Sequence, residues 1–227
     1  MGKPSSPLTP NPTAEEENYA YSDVAHDYIL RMIPKDGKTI GSIGCGWAAT
    51  EAVLMGEGRE VHGVDVSPVA IEVARTRLTS ARVISPDDYH PFEDNSLDGL
   101  ILADVIEHIP AAWDVLASYA RAVRPGGWVV ISVPNMRSLN VLIRFMVMGD
   151  WPENPVGIFD KTHLQVMSSR RLTRWCDRAG LSIERWFDRY EVHLRRGRIA
   201  KVLDPLTLRL FHEFFTYQLQ CLCRKKA

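Results

Sequence analysis

The stretch Thr39-Ile-Gly-Ser-Ile-Gly-Cys-Gly-Trp-Ala48 constrains the fold more than any other part of this chain. An apolar run enters a loop at Gly44, Cys45 and Gly46, where glycines without a Cβ let the backbone turn sharply and lie close against a ligand; a helix is expected to start near Ala48. Nineteen residues after Gly46, Asp65 closes a second run, Val61-His-Gly-Val-Asp. A carboxylate there can accept hydrogen bonds from both hydroxyls of a ribose. Loop and spaced acid together predict an adenosine-bearing cofactor at the tip of the first strand of a doubly wound sheet. Two cofactor classes fit, because Gly44-x-Gly46-x-x-Ala49 also satisfies the dinucleotide fingerprint.

Later segments separate the two. Asn95-Ser-Leu-Asp-Gly-Leu-Ile-Leu-Ala103 reads as a strand running into Asp104-Val-Ile-Glu107-His108-Ile, and Arg124-Pro-Gly-Gly127 leads into a strand ending near Ser132. Taken with Asp65-Val-Ser-Pro, His90-Pro-Phe-Glu-Asp-Asn-Ser-Leu-Asp98 and Asp160-Lys-Thr-His163-Leu, the chain resembles the class I S-adenosylmethionine-dependent methyltransferases. The resemblance is to the branch of ubiquinone-biosynthesis O-methyltransferases and bacterial small-molecule and glycan methyltransferases, and spans roughly residues 37 to 190. It implies an α/β, Rossmann-like, doubly wound sheet of seven strands whose last strand is antiparallel. It also implies transfer of a methyl group from S-adenosylmethionine to an acceptor, foremost a hydroxyl oxygen of a small molecule, natural product or glycan- or lipid-linked sugar. N- or C-methylation on the same fold and a non-catalytic cofactor-binding or scaffold role are the alternatives. A nicotinamide oxidoreductase is the rival from another class, and it predicts no terminal hairpin.

The 227 residues, 45% hydrophobic, suit one globular domain with its own core. Residues 1–17, rich in Pro, Ser and Thr, read as a flexible arm. The domain would occupy 18–227, with a substrate-side insertion about 135–166 and a second insertion about 193–213. A net charge of −1 gives no global attraction to nucleic acid or anionic membrane. The bases of 193–201 beside Leu203, Leu206, Leu208 and Leu210 would permit peripheral membrane contact, but a solvated outer helix is the favoured reading. The proline-rich start is unlike a signal peptide, so a cytoplasmic location is expected. Cys45, Cys176, Cys221 and Cys223 lack zinc-site or disulfide spacing and are read as small apolar residues.

Strands are expected near 39–43, 60–65, 81–84, 97–103, 127–133, Leu181–Tyr190 and Phe214–Arg224. Helices are expected over Asn18–Met32, 48–56, 68–79, 111–123, Leu139–Met148 and from a Ser168 or Ser169 cap to Ala179, stopped by Gly180. Oligomeric state is not legible.

At the strand following the glycine loop's partner, Asp104, Glu107 and His108 have the i, i+3, i+4 spacing that places three side chains on one face of a helix. The pattern resembles a motif that binds a divalent cation in ubiquinone and small-RNA methyltransferases, with a second histidine supplied downstream, here His163. Two carboxylates and two imidazoles suit Mg²⁺, Mn²⁺ or Zn²⁺. Without metal, His108 or His163 is the candidate general base, with Glu107 beside it. For the cofactor, the resemblance implies Ser42, Gly44, Cys45, Gly46, Asp65, Val66, Ala103 and Tyr21, with Asp87 or Asp88 near the adenine. Two departures stand out: the family carries an acid where this chain has Ser42, and a third glycine where it has Ala48. In the insertion, Phe145, Met146, Met148, Trp151, Phe159 and Met167 are candidates for an adaptable apolar surface, against the plainer reading that they are core.

Overall fold

The structure, a computed structural model, describes residues 23–190 and 211–227. The N-terminal arm, Tyr21 and nearly all of the second insertion therefore lie outside the described residues. The strands are β1 (Thr39–Ile43), β2 (Glu60–Asp65), β3 (Ser80–Val83), β4 (Leu97–Ala103), β5 (Val123–Pro134), β6 (Leu181–Tyr190) and β7 (Thr216–Lys225). They form one sheet in the order β3-β2-β1-β4-β5-β7-β6. Neighbours from β3 to β5 run parallel, while β7 runs antiparallel to both β5 and β6. The expected seven-stranded sheet with its antiparallel last strand is thus present, closed by the terminal hairpin that the nicotinamide rival lacks.

The helices are α1 (Asp27–Leu30), α2 (Ala49–Gly56), α3 (Pro68–Ala74), α4 (Ala112–Ala122), α5 (Leu139–Val147), α6 (Ser169–Arg178) and α7 (His212–Phe215). Capping follows the side-chain chemistry: Ser67 accepts from the Ala70 amide and Ser168 from the Arg171 amide, and Gly180 at φ +71° follows α6. Two helices are shorter than expected. Among the described residues the first is only Asp27–Leu30, because the chain ahead of it makes tertiary bonds instead: the His26 amide donates to Thr50 Oγ1 (3.0 Å) and Asp23 pairs with Arg77 (2.6 Å). Helix α3 stops at Ala74, where the Thr76 hydroxyl turns back to the Val73 carbonyl and Arg75 reaches the Ala81 carbonyl at the edge of β3.

Apolar clusters cover both faces of the sheet, as buried parallel strands require. Trp128 on β5 is fully buried across Gly99 of β4, where a Cβ would come within 2.2 Å of the indole, and its Nε1 donates to the Asp36 carbonyl at 2.9 Å. Cys176, Cys221 and Cys223 sit in the core as free thiols, in keeping with their reading as small apolar residues. Strand order reverses between β1 and β4, so the crevice outside their carboxyl ends is where this fold can hold ligands.

Candidate functional site

Three adjoining cavities open at that crevice. One, lined by Gly44 to Glu51 with His26, Tyr28, Ala103 and Asp104, lies over the glycine loop. A second, more apolar, is lined by Ile43, Asp65, Val66, Ile84, Pro86 and Tyr119 among others. A third, of about 330 Å³, lies against the later part of the insertion and is lined by Asp104, Glu107, His108, Asp160 and His163 among others.

The glycine-loop side is fully built from main chain and short side chains. Gly44 adopts φ +68°, and a Cβ there would come within 2.6 Å of Val105 Cγ2, so the β1 turn leaves no room for a side chain. Asp65 is buried at the end of β2; its Oδ2 accepts from the Gly46 amide (2.8 Å) and its Oδ1 from the Ser67 amide (2.9 Å). A carboxylate oxygen can accept more than one hydrogen bond, so fixing the loop and receiving a ribose are compatible roles. Cys45 and Ala103 line the loop cavity and Val66 the neighbouring one. Asp87 and Asp88 line neither: Asp87 bonds Ser85, Asp88 accepts from the His90 amide, and Ser85 and Pro86 occupy the wall instead. Ala48 takes the left-handed conformation, φ +56°, that explains why glycine suits this position; the methyl costs about 1 kcal/mol there.

Ser42 is buried, and its hydroxyl donates to Glu51 Oε1 at 2.7 Å. Sequence reasoning missed Glu51, since the only charged residue of an otherwise mostly apolar α2 reads as its solvent face; only its contact with Ser42, visible after folding, marks it.

The acceptor side is different in kind. Val105 leaves helical geometry and residues Ile106–His108 form one turn of 3₁₀ helix, so the one-face spacing expected for Asp104 does not hold. Asp104 instead sits at φ +55°, its amide donating to the Ser132 carbonyl. Its carboxylate accepts from Gln218 Nε2 (2.6 Å), Tyr28 OH (3.3 Å) and Ser132 Oγ (3.3 Å). Burial, then the Asp104 charge, pushes the Tyr28 phenol up to about 12. Asp104 therefore lines the cavity without joining the other three candidate ligands.

Those three do gather. One ligand atom each from Glu107, His108 and His163 lies within 4.8 Å of the others, and the two imidazole centroids are 4.8 Å apart. The backbone explains the convergence: the Glu107 carbonyl accepts from the Leu164 and Gln165 amides (2.8 and 3.1 Å), stapling the turn to the segment that carries His163. The Thr162 hydroxyl donates to Asp160 Oδ1 (2.6 Å), so it accepts from His108 Nδ1 (2.9 Å). His163 Nδ1 faces the Ile158 carbonyl (3.3 Å), which can only accept. Each ring thus carries its proton on Nδ1 and leaves Nε2 with a free lone pair. Glu107 is completely buried, and neither carboxylate oxygen has a hydrogen-bond partner; the nearest cationic candidate is His163 Nε2, 4.0 Å from Oε1. Burial first, then the neighbouring Asp104 charge, pushes its carboxyl well above the usual range, and burial lowers His108.

In the insertion, Phe159 and Met167 are core, whereas Phe145, Met146, Met148 and Trp151 remain exposed, Trp151 edge-on to both Phe145 and Phe159. Among the described residues no helix is long and apolar enough to cross a membrane.

Comparison with known proteins agrees with this architecture. A family model described as a methyltransferase domain matches residues 42–131. A ubiquinone biosynthesis O-methyltransferase of Thiobacillus denitrificans is 32% identical over 122 residues, 51% of this chain; the chain spans about half, 53%, of that relative's length. The protein of the same description from Xylella fastidiosa is 27% identical over 196 residues, covering 82% of this chain and 78% of its own. A methyltransferase structure from Archaeoglobus fulgidus shares the fold with a TM-score of 0.61 at 20% identity, covering 87% of this chain and 90% of that one.

Proposed function

From the premise that this chain belongs to the class I S-adenosylmethionine-dependent methyltransferases, we propose that it methylates a hydroxyl oxygen of a small acceptor, with Glu107, His108 and His163 holding a divalent cation beside that hydroxyl. The observation that carries the reading is Glu107: a buried carboxylate without a hydrogen-bond partner, next to two imidazoles whose Nε2 lone pairs are free. An unpaired buried carboxylate costs several kcal/mol, on the order of the penalty for an uncompensated buried charge. A cation among these groups removes that cost, and the donor set of one carboxylate and two imidazoles suits Mn²⁺ or Zn²⁺ better than Mg²⁺. Each imidazole also has the outer oxygen partner, Thr162 or the Ile158 carbonyl, that orients metal-binding histidines.

Methyl transfer to an alcohol needs the nucleophile deprotonated and held in line with the departing sulfur. Bound at this place, the cation would lower the pKa of the acceptor hydroxyl. The chain's own groups do the rest. Asp65 and the glycine loop anchor the nucleoside and methionine ends of the donor; Asp104 ties β4, β5 and β7 together behind the reacting centre through Ser132 and Gln218. Val156 and Tyr217 give the acceptor cavity an apolar wall, suited to an aromatic or polyketide-like body.

The 4.0 Å spacing of Glu107 and His163 supports a second reading, a metal-free general base in which Glu107 steadies the imidazolium that forms. The test is transfer of a labelled methyl from S-adenosylmethionine to catechol, polyketide-phenol and sugar-nucleotide acceptors, after chelation and again with Mn²⁺ or Zn²⁺. O-methylation lost on chelation and restored by the ion is the expected result. Chelator-resistant transfer would favour the base; transfer to amines alone would move the chain to the N-methyltransferase reading.

A further inference from the structure

We propose that Glu51 is the counter-charge for the ammonium group of the cofactor's methionine portion, supplying from helix α2 the carboxylate that the glycine loop lacks at Ser42. The inference rests on the reading of the chain as an S-adenosylmethionine-binding protein and adds a residue to it.

Glu51 lies in the first turn of α2, only 6% exposed, and lines the cavity over the glycine loop together with Gly44 to Thr50. Among the described residues the cavity wall contains two acids, Glu51 and Asp104. Asp104 already takes three side-chain donors. Asp65, on the far side of the loop, is taken up by two backbone amides and lines the neighbouring cavity. Glu51, by contrast, has one side-chain donor, the Ser42 hydroxyl on Oε1. That bond fixes the direction of the carboxylate, and a serine is what the position needs if the charge comes from elsewhere: a second acid at residue 42 would stand 2.7 Å from the first and repel it. Burial pushes the Glu51 carboxyl above its ordinary value, the condition of a group awaiting a cation. An ammonium is a compact point charge with three donors, and a buried carboxylate is its strongest available partner. The Ser42 departure is on this account a relocation of the acid by about two helical turns of sequence rather than its loss.

The experiment is calorimetric binding of S-adenosylhomocysteine and of 5′-methylthioadenosine, which has the nucleoside and sulfur but neither ammonium nor carboxylate. Glu51→Gln, nearly isosteric and able to keep the Ser42 bond, should weaken S-adenosylhomocysteine about tenfold or more and leave 5′-methylthioadenosine unchanged. Returning the charge to the loop, in Ser42→Asp combined with Glu51→Gln, should recover most of the loss. Equal weakening of both ligands, or full S-adenosylhomocysteine affinity in Glu51→Gln, overturns the assignment while leaving the cofactor reading intact. Failure of the unaltered protein to bind S-adenosylhomocysteine overturns both.

Discussion

The two sides of the crevice solve the problem of buried polar groups in opposite ways. On the cofactor side Asp65 is matched to the Gly46 and Ser67 amides. On the acceptor side no hydrogen bond reaches the Glu107 carboxylate, and the two imidazoles beside it keep their Nε2 lone pairs. The first arrangement stabilises the fold with or without ligand. The second costs stability until something positive arrives, which is the physical signature of a site rather than a scaffold. Mutations should therefore separate stability from activity differently on the two sides.

The largest separation is expected at Glu107. Glu107→Gln should lower kcat about a hundredfold or more, while the melting temperature of the chelated protein holds or rises, because the substitution removes a buried carboxyl that no hydrogen bond satisfies. A large loss of stability would break the contrast. Asp65→Ala should do the reverse, costing about 2 kcal/mol of stability by orphaning two amides and weakening S-adenosylhomocysteine at least about tenfold; chemical denaturation and calorimetry read the two effects. Thr162→Val keeps shape but takes away the oxygen that holds the His108 Nδ1 proton, so kcat should fall roughly tenfold with cofactor affinity unchanged. An unaltered kcat would remove Thr162 from the account.

The smallest effect belongs to neither side. Asp98, at the opposite end of β4, accepts from Arg124 and from the Lys38 and Thr39 amides. The Arg124 bond, with help from the Thr39 amide, holds its carboxyl down at about 2. Since the folded value lies below the unfolded one, this stabilisation is present above pH of about 4 and is lost as pH falls toward about 2. Asp98→Asn should cost about 1 kcal/mol at neutral pH, and its denaturation curve should converge on that of the unaltered protein over that acid window. Activity should not follow it.

Much of the parallel sheet was legible because its strands are short, largely apolar runs: β1, β2 and β4 have the expected ends. Legibility failed where a tertiary bond overrides local preference, as at His26, and where a hydroxyl turns back on its own helix, as at Thr76. The site was half legible. Gly44, Gly46 and Asp65 follow from loop chemistry, and the Glu107, His108 and His163 convergence from motif order. Asp104 was misplaced because helical spacing was assumed across a residue, Val105, that breaks it. Gln218 and Glu51 carry no local signal at all: one reaches Asp104 from 114 residues away, and the other becomes meaningful only beside Ser42.

Thermal melting after chelation, with Mn²⁺ and S-adenosylhomocysteine added separately to the unaltered protein and to Glu107→Gln, tests the contrast most directly. The account predicts that S-adenosylhomocysteine raises both melting temperatures alike and that Mn²⁺ raises only that of the unaltered protein. An equal Mn²⁺ shift in the two proteins, or none in either, would contradict it.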